Sequence, residues 1–82
     1  MAPPVASDIL RALDTPKLVV ELEREEDGRW IAEVLKLPGV MVYGRTREEA
    51  LARAEALALR VLADRLEQGE DVPELRGLFY AA

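Results

Sequence analysis

The side chains able to do chemistry in this chain are nearly all carboxylates. Glu21, Glu23, Glu25, Glu26, Asp27 and Glu33 lie close together in sequence, and alternation puts Glu21 and Glu23 on one strand face with Glu33 across from them. Paired carboxylates can serve as the acid and base of a glycosidase, or hold a divalent metal through oxygen ligands. Nothing else in the sequence completes such a site. There is no histidine to move a proton near neutral pH and no cysteine nucleophile. Ser7 is the one serine and sits far in sequence from any base. The five glycines stand at turns or caps and form no phosphate-cradling loop. The carboxylates therefore read as a solvated sheet face and a charged hairpin tip. No enzyme, metal or cofactor is expected; a metal-dependent hydrolase built on the strand carboxylates is the minor alternative.

A cationic set is interleaved with the acids. Arg24, Arg29, Arg45 and Arg47 could gather at the hairpin ends, with Trp30 and Tyr43 free to stack on bases. Glu25, Glu26, Asp27, Glu48 and Glu49 sit among them and would repel phosphate. The net charge of −5, from 11 basic and 16 acidic residues, opposes the cationic field that nucleic-acid binding needs. No helix-turn-helix pattern is present, so direct DNA binding is not expected. An acidic balance instead suits a basic protein partner.

Eighty-two residues suffice for one small domain with a thin margin of stability, which self-association can supplement. Residues 1–16 form a lead-in segment: Pro3-Pro4 bars regular structure, and Ser7 or Asp8 caps a short turn ended by Pro16. The domain proper is expected over residues 17–82. Residues 17–25 alternate as a first strand, and Asp27-Gly28 turns the chain into a second strand over 30–37. That strand is partly apolar on both faces, which predicts cover on both sides. Pro38-Gly39 makes the next turn, and a third strand runs over 40–45.

Thr46 with Glu49 is a capping box, and a helix follows from Arg47 to about Gln68, with Gly69 as its left-handed cap. Ala50, Leu51, Ala54, Leu57, Ala58, Val61 and Leu62 give it one apolar stripe. Glu49–Arg53 and Arg60–Asp64 are the spacings expected to pair along its outer side. A second set, Ala52, Ala56, Leu59 and Ala63 with Leu66, reads either as good helix formers with one tolerated exposed leucine or as a face that meets another subunit or a partner. It is the candidate face for self-association. GLFYA at the C-terminal end predicts a short edge strand. The fold expected is α+β in two layers, β-β-β-α-β, with an antiparallel three-stranded meander under the helix. Its uncovered sheet face, with Trp30 or Tyr43, and the hairpin tip at Glu25, Glu26 and Asp27 are the candidate partner contacts.

The stretch EEDGRWIAEVLKLPGVMVYGRTREEAL resembles the HicB-like antitoxin family, through an acidic-glycine hairpin, an aromatic, an A-E-V strand, an L-P-G turn, and G-x-T-x-E-E-A-L into a long helix. The likeness runs from Leu18 to about Pro73. It implies a partial ribonuclease-H-like fold in a bacterial, noncatalytic protein that covers a small basic HicA-like toxin, an mRNA-cleaving ribonuclease. It also implies homo-oligomers, dimers or tetramers. Many members carry a C-terminal DNA-binding domain that is missing before Ala82, so operator binding is not expected here. Leu35, Lys36 and Val40 stand where members often have proline, aspartate and cysteine, which reverses a charge at that turn. A solitary homo-oligomer without a toxin is the alternative. No apolar run nears the roughly 20 residues that span a bilayer, and no signal-peptide pattern opens the chain; the cytoplasm is the expected location.

Overall fold

The computed structural model describes residues 18–75, 77–79 and 81. The expected lead-in turn over residues 1–16 lies outside the described residues. Three strands form one antiparallel sheet in the order β1-β2-β3: β1 Val20–Arg24, β2 Trp30–Val34 and β3 Met41–Gly44. A single long helix, α1 (Arg47–Glu67), follows, and a 3-10 turn spans Pro73–Leu75. The meander and helix match the α+β order expected from the sequence.

Local chemistry explains each junction. Gly28, at φ +90°, closes a three-residue loop in which the Glu25 amide donates to the Arg29 carbonyl at 2.7 Å and the Gly28 amide to the Glu25 carbonyl at 3.0 Å. Pro38 presets the second turn and Gly39, at φ +89°, completes it, with the Val40 amide bonded to the Leu37 carbonyl at 3.0 Å. The cap of α1 is shifted from the simplest box. Thr46 Oγ1 accepts from the Glu49 amide at 3.0 Å, but Glu49 Oε1 accepts from the Arg45 amide, one residue before the cap. At the other end the Gly69 amide reaches the Leu66 carbonyl and the Glu70 amide the Arg65 carbonyl, the paired closure that a left-handed Gly69 permits.

The register fixes which side chains share a face. Val20 lies opposite Val34, Leu22 opposite Ala32, and Ala32 opposite Val42. This face carries α1, whose Ala50, Ala54, Ala58 and Leu62 are buried, with Leu57 and Val61 half-buried beside them. Val34, Leu37 and Val40 are the largest fully buried side chains. Leu37 reaches the core because the chain has already left the sheet: β2 ends at Val34, three residues earlier than the sequence pattern suggests. Its apparent two-sided character has this cause. Leu35, on the other side, is half exposed, and among the described residues nothing covers the outer face of β2. After α1, Val72 turns back into the core.

The expected C-terminal strand is not formed among the described residues. Gly77 and Leu78 turn, Phe79 makes one isolated bridge, and Tyr80 lies outside the described residues. On α1 the Glu49–Arg53 pair forms at 3.2 Å, whereas Asp64 accepts from Gln68 Nε2 at 2.9 Å instead of pairing with Arg60. Arg53 also donates to the Tyr43 carbonyl at 3.0 Å, which ties the outer edge of β3 to the helix.

Helix and sheet meet most closely at Gly44. A Cβ there would fall on the Ala50 backbone nitrogen, with the Ala50 Cα 2.8 Å away. Backbone cannot yield as a flexible side chain can, so Gly44→Ala should lose about 1–3 kcal/mol through forced separation of the layers. Urea unfolding measures it; unchanged stability would show that the layers are not held this close.

Candidate functional site

The face of the sheet turned away from α1 is an ordered grid. The register places Glu21 opposite Glu33 and Glu33 opposite Met41 in one row, then Glu23 opposite Ile31 and Ile31 opposite Tyr43 in the next. Carboxylates thus occupy the β1 side, apolar side chains occupy the β3 side, and β2 between them carries one of each, Glu33 and Ile31. Met41 is 51% exposed and Tyr43 40% exposed, and Val19 and Leu35 add apolar surface at the margin. A shallow depression on the acidic side is lined by Glu21, Glu23, Glu25, Ile31 and Glu33.

This arrangement costs the isolated fold something. Like charges directly opposite one another on neighbouring strands repel, and the Glu21–Glu33 pair is of that kind. Among the described residues neither glutamate, nor Glu23, has an ion-pair partner. A cation beside this face is already engaged. Arg29 Nε bonds Asp27 Oδ2 at 2.7 Å, and the guanidinium lies 4.5 Å over the Tyr43 ring.

The sequence-derived contact residues fall into separate places. Glu25, Glu26 and Asp27 are at the hairpin tip, with Glu25 half-buried and the other two exposed. The Arg29 backbone amide, and then its guanidinium, hold the Asp27 carboxyl below the usual aspartate value. That loop is therefore internally satisfied. Trp30 is not with them: it lies opposite Arg24 and Gly44, on the helix-bearing side, packed half-buried against the core. The helix set also divides. Leu59 and Ala63 line an apolar concavity with Leu66, Leu75 and Phe79, while Ala52 and Ala56 are exposed outside it. Leu59 is 60% exposed and lines a second apolar groove with Leu18, Val20 and Ala58.

Met41 is the contact residue that sequence reasoning passed over. Its signal was its parity with Tyr43 across a four-residue strand. Among the described residues no group of three or more acids, histidines or cysteines is arranged to hold a metal ion. No described helix is long and apolar enough to cross a membrane.

No family model, curated protein or solved structure matches the chain.

The grid makes a stability prediction. Replacing both members of the cross-strand pair, Glu21→Gln with Glu33→Gln, should raise unfolding free energy by about 0.2–1 kcal/mol at low salt, with the gain shrinking as salt is added. Chemical denaturation at two ionic strengths measures it. Lower stability in the double variant would mean that the pair holds some other stabilising contact.

Proposed function

We propose that this chain is a noncatalytic, HicB-like antitoxin-type protein that binds and neutralises a small basic HicA-like mRNA-cleaving toxin. The observation that carries the reading is the sheet face that no described element covers, acidic along β1 and apolar along β3. Such a face is suited to covering a basic protein surface, where charge steers the encounter and apolar contact holds the complex. The absence of histidine and cysteine from the chain, and the engagement of its turn residues in ordinary caps and loops, also favour binding over catalysis. In this reading the three-stranded meander and its helix are the core of a partial ribonuclease-H-like fold. Self-association into a dimer or tetramer runs along Leu59 and Ala63, whose apolar surroundings support it.

The test is co-expression with the small basic protein encoded beside this chain in its source genome. The neighbour alone should arrest growth, the pair should restore it, and the purified complex should hold at least two copies of this chain. Arrest that co-expression does not relieve, or a neighbour that leaves growth and mRNA intact, contradicts the toxin-neutralising role. A complex with a single copy of this chain contradicts the assembly.

A further inference from the structure

We infer that the open sheet face is built to receive one particular kind of segment: a cationic amphipathic helix laid along the strands. The inference rests on the reading above in taking the partner to be a small basic protein, and adds the surface and the shape of what sits on it.

The register carries it. On this face the two outer strands differ: β1 carries Glu21 and Glu23, β3 carries Met41 and Tyr43, and β2 between them carries one residue of each kind, Glu33 and Ile31. The Arg29 guanidinium sits over the Tyr43 ring at the hairpin end of the β3 side. An occupant must present two parallel stripes, one basic and one apolar, running with the strands. An amphipathic helix with lysine or arginine beside its apolar stripe has that form. The lengths agree: a five-residue strand spans about 17 Å, close to about three turns of helix. Burial of the carboxylates against cations removes the Glu21–Glu33 repulsion, so the face is stabilised by what covers it.

Charge excludes the other occupants. A second copy of the same face would set its glutamates against carboxylates or against Met41 and Tyr43, with no lysine or arginine stripe to meet them, and the Leu59 groove of α1 brings Glu55 rather than a cation. Nucleic acid would meet the carboxylates with its own phosphates. The hairpin tip is a poorer site, because Asp27 and Arg29 already satisfy each other there.

The experiment uses the full chain, isotope-labelled, titrated with a synthetic leucine–lysine peptide of about 18 residues patterned at the helical period. A scrambled peptide of the same composition is the control. Amide and side-chain shifts should concentrate at Glu21, Glu23, Ile31, Glu33, Met41 and Tyr43. The scrambled peptide should bind at least about tenfold more weakly, since it cannot offer both stripes at once. Glu21→Gln with Glu33→Gln should weaken binding by a similar factor while the protein becomes more stable, which separates lost binding from lost folding. Met41→Ser should weaken it at unchanged net charge. Shifts centred on the hairpin tip or on α1, equal binding of the scrambled peptide, or no binding at millimolar peptide would each overturn the inference. The probe contains no toxin, so failure here is distinct from failure of the growth test.

Discussion

Everything in this fold follows from how closely α1 can approach the sheet. Gly44 ends β3 with its backbone against Ala50, and Ala54 and Ala58 continue the seam one turn at a time. Small residues let the helix lie low, so Val34, Leu37 and Val40 can be fully enclosed by a domain this small. The short link from Gly44 to the Thr46 cap leaves the helix no freedom to start elsewhere. Arg53 closes the same corner from the other side through the Tyr43 carbonyl. Larger residues along the seam would lift the helix and open the core it protects.

The two sheet faces then divide the work. The face under α1 is composed for stability, with valine, leucine and alanine in cross-strand register. The outer face is composed against it, since among the described residues two glutamates oppose each other without a cation and Met41 and Tyr43 stay 51% and 40% exposed. A small domain has little stability to give away. Sequences that retain such a pattern on one face and avoid it on the other are consistent with a surface completed by a partner. The proposal of a basic protein partner rests on that asymmetry more than on net charge, because net charge alone fits any soluble acidic domain.

Much of the fold was legible because its signals are local. Thr46 with Glu49, Pro38 with Gly39, and Gly69 after the helical stripe each act within a few residues. The last two do what the sequence implied, and Thr46 caps the Glu49 amide while the Glu49 carboxylate bonds the Arg45 amide instead of that of Thr46. The rest depended on distance. Alternation through Leu35 and Leu37 suggested a strand covered on both sides, since periodicity cannot see that β2 stops at Val34 and Leu37 turns inward. The sorting of acid and apolar residues across the outer face needed the register, which the three-residue loop at Gly28 sets. Trp30 was expected as a contact with the uncovered sheet face, yet its parity places it on the helix-bearing side. Gly44 read as a strand end. Its closeness to Ala50 comes from tertiary packing alone.

The central claim is that one sheet face is sealed by a close-packed helix while the other stands open. Broadening of methyl resonances by a soluble paramagnetic gadolinium chelate measures this in the isolated chain. The account predicts strong broadening of the Met41 methyl, intermediate broadening of the Ile31 methyls, and sharp signals from Val34, Leu37, Val40 and Ala54. Protection of Met41 and Ile31 equal to that of the core methyls would contradict it.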